Sequence, residues 1–111
     1  MEASKATSSN IKVFCRFRPF NEMEKDYNPH PIHKIASNRH LIVKDPSRHE
    51  DMSFLFDEVF DSETTQEQIY SEVGLPVLMN ILDGFNGTII AYGQTSSGKT
   101  HTMQGHDFNN R

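Results

Sequence analysis

The chain opens with short apolar runs separated by polar stretches, which is typical of β-strands joined by turns. Ile11–Arg18 predicts a strand, with Ile11, Val13, Cys15 and Phe17 on one face and Lys12, Phe14, Arg16 and Arg18 on the other. The strand would end at Pro19, since proline cannot donate to a strand ladder. Apolar runs over His40–Lys44 and Ser53–Phe60, separated by a turn at Asp45–Ser47, predict a small antiparallel subsheet. The first half is therefore predicted to consist mainly of strands.

Two stretches of the first half lack this pattern. Met1–Asn10 consists of small polar residues and predicts a flexible lead-in. Asn21–Ser37 is rich in charged residues and proline, and it predicts a surface excursion. Four histidines lie in or near it, namely His30, His33, His40 and His49. Because a zinc site needs a third convergent ligand on a defined scaffold, ordinary loop histidines are the favoured interpretation over zinc binding.

The second half has a helical period. Apolar residues recur at every fourth position, at Ile69, Val73, Val77 and Ile81, and predict a helix that covers one face of a sheet. Thr64–Glu67 has the pattern of a capping box and would begin this helix. Gly74 and Pro76 predict a kink, and Gly84 and Gly87 are stop signals.

The predicted core is small for the length of the chain. Four large side chains of the subsheet region are assigned to it, namely Phe54, Phe56, Val59 and Phe60. The 111 residues are 35% hydrophobic with a mean hydropathy of −0.62, which is low for a self-sufficient domain. Length and composition together predict a piece of a larger domain.

Net charge and cysteine content argue against several classes of protein. The formal net charge of −4 argues against general nucleic-acid or anionic-membrane binding. No apolar run has the length of a bilayer span, and no signal-peptide core is present at the N-terminus. Cys15, the single cysteine, excludes an internal disulfide and fits a reducing interior, where it would serve as core filler.

The most informative stretch is Gly93-Gln94-Thr95-Ser96-Ser97-Gly98-Lys99-Thr100, which matches the phosphate-binding P-loop Gly-x4-Gly-Lys-Thr. Thr88–Tyr92 precedes it as a predicted strand, and a helix of little more than a turn would follow as far as Met103. Strand, glycine loop and helix in this order are the context that the motif requires. The alternative, a glycine turn with a chance lysine, does not explain that context.

The residue types in the loop suit phosphate chemistry. Gly93 and Gly98 have no Cβ, so the loop can adopt positive φ angles and its amides can form an anion nest. Ser96 and Ser97 are small enough not to obstruct it. Lys99 would reach the β- and γ-phosphate oxygens, and the hydroxyl of the adjacent Thr100 would ligate Mg²⁺.

Two arginines, Arg16 and Arg18, lie on one face of the predicted first strand, close to Pro19. One interpretation is a solvated strand end with ordinary ion pairs. The other is a cationic and apolar ledge at the carboxyl edge of a sheet, where α/β proteins bind ligands. Chemistry alone leaves both open.

Three separated segments of the sequence resemble the kinesin motor domain. Ile11–Pro19 resembles the family's first strand with its Arg-x-Arg-Pro motif, and Phe56–Phe60 resembles its second-strand signature. Asn86–Met103 is similar to its P-loop signature, in which Ser96-Ser97 and His101 resemble the conventional, cargo-transporting branch. The three segments agree with the family in order and spacing.

The resemblance implies a fold class and a set of site residues. It implies an α/β P-loop NTPase of kinesin motor type, with residues 11–111 as an incomplete N-terminal portion. That portion would comprise the first strands, the small antiparallel subsheet, the first helix, the P-loop strand and the start of the following helix. Arg16 and Pro19 would pack against the adenine of ATP, with His101 on its other side. Arg18 stays open as a direct contact.

The resemblance also implies ATP and Mg²⁺ as cofactors and microtubules as the partner. The intact protein would be a microtubule-stimulated ATPase in the cytoplasm, associated with the cytoskeleton, without nucleic-acid binding or membrane insertion. Dimerisation of the intact protein is compatible with the family and is not encoded in these residues. The main microtubule-binding elements of the family lie downstream of the region that this chain resembles.

The 111 residues lack two runs that the resemblance would otherwise lead one to expect. Neither a Ser-Ser-Arg-Ser-His-like switch I run nor an Asp-Leu-Ala-Gly-like switch II run is present. The isolated chain is therefore expected to be inactive as an ATPase. The alternative function is a non-catalytic, truncated chain with weak or no nucleotide binding. A nucleotide kinase or GTPase that shares only the P-loop would not explain the segments Arg16–Pro19 and Asn86–Tyr92.

Overall fold

The computed structural model describes residues 11–27, 32–45 and 47–105. These residues fall into two compact units that divide after Ser62, and each has its own secondary structure. Among the described residues, Leu41, Val59 and Phe60 are buried in the first unit and Ile69 in the second. The predicted lead-in at Met1–Asn10 lies outside the described residues. Among the helices of the described part, none combines the length and apolar character needed to cross a membrane.

A parallel pair of strands forms the centre of the first unit. Strand β1 (Phe14–Arg16) pairs with β5 (Glu58–Phe60), and Cys15 lies opposite Val59. The pairing is shorter than the predicted strand Ile11–Arg18, because at its start the Asp57 carboxylate accepts the Val13 amide, 2.6 Å away. This aspartate thus replaces a ladder carbonyl and ends the regular pairing.

Asn21–Ser37 was predicted as a turn-rich surface excursion, and within it the structure has a helix, α1 (Glu22–Tyr27). The Asn21 side-chain oxygen accepts the Glu24 amide at 2.8 Å, and the Glu24 carboxylate accepts the Asn21 amide at 2.9 Å. This reciprocal pair is a capping box, which satisfies two amides that the first helical turn leaves without partners. This capping box was not predicted from the sequence, because the charged residues and prolines of the whole stretch were weighed instead. Strand β2 (His33–Ile35) follows in the same stretch.

The predicted antiparallel subsheet is confirmed. Strand β3 (His40–Asp45) lies between β2 and β4 (Glu50–Leu55). The single strand expected over Ser53–Phe60 is wrong, because the chain changes partners after Leu55. The Phe56 amide donates to the Arg39 carbonyl, whereas the Asp57 amide donates to the Val13 carbonyl. The first half of the expected strand therefore belongs to the subsheet and the second half to the parallel pair.

The core of the first unit follows the prediction in part. Leu41, Val59 and Phe60 are buried, and the Phe60 ring stacks on Phe14 with centroids 6.0 Å apart. Phe56 is half-buried. Phe54 was expected in the core, but it is 42% exposed. Cys15 is half-buried, and this burial raises the pKa of its thiol, as suits an unreactive packing residue.

One interrupted helical segment opens the second unit. It consists of α2 (Gln66–Ile69), a π-helical turn (Tyr70–Gly74) and α3 (Leu75–Leu82). The interruption predicted from Gly74 and Pro76 is present and takes the form of this wider turn. Because Pro76 has no amide hydrogen, a wider turn before it removes the need for a regular helical bond there.

The two ends of this helical segment have defined caps. The capping box uses Thr65 and Gln68, one residue later than the predicted Thr64–Glu67. At the other end, Gly84 has φ 96°, the Gly84 amide donates to the Ile81 carbonyl at 3.0 Å, and the Phe85 amide donates to the Asn80 carbonyl at 2.9 Å. This pair of bonds is a Schellman motif, so Gly84 is confirmed as the stop signal.

The amphipathic stripe and the strand before the P-loop differ from the prediction. Only Ile69 of the stripe is buried, and Ile81 is 46% exposed. Thr88–Tyr92 has no strand pairing, and the side chains of Ile90 and Tyr92 are 84% and 99% exposed. A strand requires a neighbour for its backbone hydrogen bonds, so β-propensity alone does not produce one.

Candidate functional site

The predicted P-loop lies between Tyr92 and helix α4 (Lys99–Gln104). Its backbone uses the left-handed region twice. Gly98, which caps α4, has φ 100°, as its lack of a Cβ allows. Ser96 has φ 69°, a conformation that is uncommon for residues other than glycine and that sequence reasoning did not predict. Of the described residues other than glycine, only Ser96 and His49 have positive φ, and Ser96 lies inside the candidate phosphate loop.

Gly93 lies at a close approach within the loop. A Cβ at this position would overlap the Ser97 hydroxyl oxygen and lie 3.2 Å from the Ser97 Cβ. The Ser97 amide also donates to the Gln94 carbonyl at 3.2 Å, which closes a tight turn. Gly93 therefore lacks room for a Cβ because the Ser97 side chain occupies that space.

The Lys99 side chain folds back over the loop. Its ammonium donates to the Gly93 carbonyl, with Nζ and O 2.6 Å apart and partly buried. The first glycine and the lysine of the motif are thus in direct contact. Gln94, Thr95 and Ser96, between them in sequence, are exposed, as is Thr100 in the first turn of α4. The segment thus combines the Lys99 ammonium, the Thr100 hydroxyl and the exposed residues 94–96.

The helix that carries these groups is held at its far end. The amide side chain of Gln66 donates to the Thr102 carbonyl at 2.8 Å, and the Gly105 amide donates to the His101 carbonyl at 2.7 Å. His101 is half-buried in the same helix. Sequence reasoning did not single out Gln66, because its partner lies 36 residues away and no local pattern connects them.

The two other predicted site residues belong to the first unit. Arg16 lies at the end of β1 opposite Phe60 and is half-buried, and burial lowers the pKa of its guanidinium. Pro19 is exposed, and its carbonyl accepts a bond from Arg18 at 2.9 Å. Arg18 forms an ion pair with Glu24, so the ion-pair interpretation holds for this arginine. The P-loop and His101 lie together in the second unit.

Two of the histidines considered for zinc, His33 and His40, have other contacts. The His33 ring stacks on Phe17 with centroids 3.9 Å apart, and His40 hydrogen-bonds Ser53 across the subsheet. His30 lies outside the described residues. Within the described ranges, no group of three or more His, Cys, Asp or Glu side chains could hold a metal ion.

Replacement of Gly93 by alanine is expected to distort the loop. The new methyl group overlaps the Ser97 hydroxyl and lies 3.2 Å from the Ser97 Cβ, so the Ser97 side chain and the turn that carries it must shift, at a cost of about 1–3 kcal/mol. Binding of ATP or tripolyphosphate should weaken by roughly tenfold or more, as measured by calorimetric titration.

Gly74→Ala is the matched control, because Gly74 has helical backbone angles and its new Cβ meets only the Tyr70 side chain. Equal ligand affinities for the two alanine variants would contradict the assigned role of Gly93.

Comparisons with known proteins agree on one family. A family model described as the kinesin motor domain matches residues 16–111. Human kinesin-1 heavy chain is 46% identical over 96 residues, which are 86% of this chain and 9% of that protein. Kinesin-related protein 7 of Dictyostelium discoideum is 46% identical over 98 residues, or 88% of this chain and 8% of that protein.

A solved structure gives the same result in three dimensions. The structure of a fast kinesin, described with implications for its ATPase mechanism and its interactions with microtubules, matches with a TM-score of 0.80 at 38% identity. The match covers 90% of this chain and 28% of that chain. The expected fold class, part of an α/β domain with mixed strands and helices, is confirmed. The chain spans less than a third of the relatives and of the structure that it matches.

Proposed function

Since the chain belongs to the kinesin motor domain family, we propose that it is the ATP-binding part of a microtubule-based motor. The observation that carries the proposal is the geometry of Gly93–Thr100. Three features occur together in one segment: a glycine whose Cβ position would overlap the Ser97 hydroxyl, a left-handed glycine before a helix, and a lysine folded over the loop. This combination suits a phosphate cradle.

The chemistry of the donor set fits a magnesium nucleotide. Lys99 supplies a mobile cation for the β- and γ-phosphate oxygens once its bond to the Gly93 carbonyl is exchanged for bonds to phosphate. The Thr100 hydroxyl would be the protein ligand for Mg²⁺, which usually takes its remaining ligands from phosphates and water. When bound, Mg²⁺ neutralises phosphate charge and orients the oxygens. The backbone amides of residues 94–98 complete the proposed contacts.

The base contacts are assigned by the family resemblance. Arg16 and Pro19 offer a guanidinium plane and an apolar ring to the adenine, and His101 offers an imidazole ring. Arg16 is half-buried at a strand end, and His101 is half-buried in the helix that carries Lys99 and Thr100. Partial burial restricts both side chains before a ligand arrives, which reduces the entropy cost of binding.

In the longer motor, ATP hydrolysis would alter switch loops and thereby the affinity for microtubules. The proposed location is the cytoplasm, on the microtubule cytoskeleton, without nucleic-acid binding or membrane insertion. The 111 residues contain no switch I-like or switch II-like run to sense the γ-phosphate. The isolated polypeptide should therefore release no phosphate from ATP in the presence of microtubules. Robust turnover that Lys99→Ala abolishes would contradict this.

A second candidate is a non-catalytic chain with weak or no nucleotide binding. It is favoured by the exposed apolar side chains of Ile90 and Tyr92, which lie directly before the loop. An apolar extended segment without strand partners promotes association between chains. Such association would compete with an ordered phosphate loop.

Titration of the purified chain with Mg·ATP distinguishes the two candidates. A fluorescent ATP analogue, displaced by unlabelled ATP and by tripolyphosphate, should give a saturable curve with micromolar to millimolar affinity. Size-exclusion chromatography at the same concentrations should show one species. The absence of displaceable binding in a monodisperse sample would support the non-catalytic alternative.

A further inference from the structure

Gln66 makes a long-range contact with the helix that carries the candidate phosphate ligands. Its side-chain amide donates to the carbonyl of Thr102 in α4, with Nε2 and O 2.8 Å apart. Both residues are half-buried and belong to the second unit, so water competes only in part for this bond. Because a carbonyl oxygen can only accept, a side chain without a donor cannot replace the Gln66 amide here.

The backbone of Gln66 is held by the start of α2. The Gln68 amide donates to the Thr65 hydroxyl at 3.2 Å, and the Thr65 amide donates to the Gln68 side-chain oxygen at 2.8 Å. This capping box encloses Gln66 in sequence, and Ile69 at the end of the same turn is 7% exposed. The Gln66 side chain therefore extends from a backbone that bonds and apolar packing hold in place.

Thr102 connects this contact to the loop. Its carbonyl accepts the bond from Gln66, whereas its amide donates to the Gly98 carbonyl at 2.9 Å. Gly98 is the left-handed residue that ends the loop, and Lys99 and Thr100 follow it directly. A single helical turn thus separates the Gln66 bond from the proposed phosphate and magnesium ligands.

Helix α4 is short enough to depend on an outside contact. It has six residues, whereas isolated helices shorter than about 12–15 residues are marginal in water. The last four carbonyls of a helix lack intrahelical partners. In α4 the Gly105 amide donates to the His101 carbonyl at 2.7 Å, and Gln66 donates to the next one. Loss of the Gln66 donor is therefore expected to loosen the end of α4.

We propose that Gln66 is a positioning residue for the phosphate site, which holds α4 so that Lys99 and Thr100 are ready for phosphate and Mg²⁺. This inference rests on the proposed function, which assigns Lys99 and Thr100 to those ligands. Gln66 acts through Thr102, to which its amide is bonded. Such preorganisation raises affinity because less ordering is required when the ligand binds.

Magnesium tripolyphosphate is the probe, because it has no base and so tests the phosphate site alone. Its dissociation constant is measured by calorimetric titration for the wild-type chain and for Gln66→Met, which keeps the length of the side chain but has no donor. The constant should rise by about two- to tenfold, as expected for the loss of one partly buried hydrogen bond.

Two further substitutions separate the donor from the bulk of the side chain. Gln66→Glu keeps the shape but turns carboxylate oxygens toward the Thr102 carbonyl, so it should weaken binding at least as much as Gln66→Met. A carboxylate in the first turn of a helix favours the helix itself, so this loss would not come from a weaker α2. Gln66→Lys carries donors on a flexible stem and should restore part of the affinity.

Two charge-matched variants of the same turn are the controls. Gln68→Glu makes the same change of charge as Gln66→Glu and keeps the acceptor of the capping box. Glu67→Gln makes the same change of charge as Gln66→Lys, at an exposed position. Both keep the bond from Gln66 to Thr102, so they should change the tripolyphosphate constant by less than about twofold.

Hydrogen exchange of the chain without ligand gives a second readout. Amides of residues 99–105 should exchange faster in Gln66→Met than in the wild type, whereas those of α3 should exchange at the same rate. Unchanged exchange in α4 would overturn the inference. Faster exchange across the whole second unit would also overturn it, because Gln66 would then have a general structural role.

The binding outcomes distinguish the inference from the function on which it rests. A wild-type chain that binds tripolyphosphate, with Gln66→Met and Gln66→Glu binding it equally well, overturns the positioning role alone. A wild-type chain that binds neither tripolyphosphate nor Mg·ATP contradicts the proposed function and the inference with it. Weaker binding in Gln66→Met and Gln66→Glu, but not in Gln68→Glu or Glu67→Gln, supports both.

Discussion

Replacement of Lys99 by alanine is expected to weaken the binding of Mg·ATP by roughly 30- to 100-fold, equivalent to about 2–3 kcal/mol. The ammonium is the one charged group of the loop itself, and it is partly buried against the Gly93 carbonyl. Its removal leaves the phosphates with Mg²⁺, backbone amides and hydroxyls, but without a cationic side chain from the loop. Displacement of a fluorescent ATP analogue measures the loss.

Two further variants test whether the effect of Lys99→Ala depends on the position and the shape of the Lys99 side chain. Lys12→Ala removes an equal charge from an exposed position in the first unit and should change the affinity by less than about twofold. Lys99→Arg retains the charge but replaces a compact ammonium by a planar fork, so it should restore only part of the affinity. Equal effects of Lys99→Ala and Lys12→Ala would show that general electrostatic attraction, not the loop, binds the nucleotide.

The second large effect is expected in the core of the first unit. Phe60→Ala should lower the free energy of unfolding by about 3–4 kcal/mol, because it removes a large buried ring and leaves a cavity. Phe60 is 5% exposed and stacks on Phe14. Since small domains are stable by only about 5–15 kcal/mol, this loss should be visible as a large shift of the urea midpoint in circular dichroism.

Phe54→Ala is the control for Phe60, since it removes the same ring from the same unit. Phe54 is 42% exposed, so its loss should cost roughly a third or less of the effect at Phe60. If the two variants lose equal stability, the division of the predicted core into a buried and an exposed part is wrong.

Local patterns predicted those parts of the structure that depend on neighbours in sequence. The antiparallel subsheet, the stop at Gly84 and the short helix after the P-loop follow from turn residues, glycine and apolar alternation. The helix start was predicted at Thr64–Glu67, whereas the capping box uses Thr65 and Gln68, one residue later. Local signals thus identify an element, but they define its boundary less well.

The parts that sequence reasoning did not predict depend on distant partners. Ser53–Phe60 divides into two strands because Arg39 and Val13 offer backbone groups to its middle residues. Thr88–Tyr92 has strand propensity but no pairing in the described part of the chain. Neither fact is visible in the residues of the segment itself.

The candidate site shows the same division. The glycines and the lysine of the P-loop were predicted because each answers a local requirement of φ angle, close approach or charge. The left-handed Ser96, the Gln66 bond to Thr102 and the pairing of Arg18 with Glu24 were not predicted. The first is a backbone angle without a residue signature, and the second joins residues far apart in sequence.

Labelling with an ATP analogue whose terminal phosphate carries a lysine-reactive acyl group tests the central claim most directly. The reagent reacts with a lysine that lies beside the bound terminal phosphate, and peptide mass spectrometry identifies the modified residue. The account predicts preferential labelling of Lys99 and its suppression by excess Mg·ATP. Labelling of Lys99 no stronger than that of Lys12 and Lys44, with no protection by Mg·ATP, would contradict it.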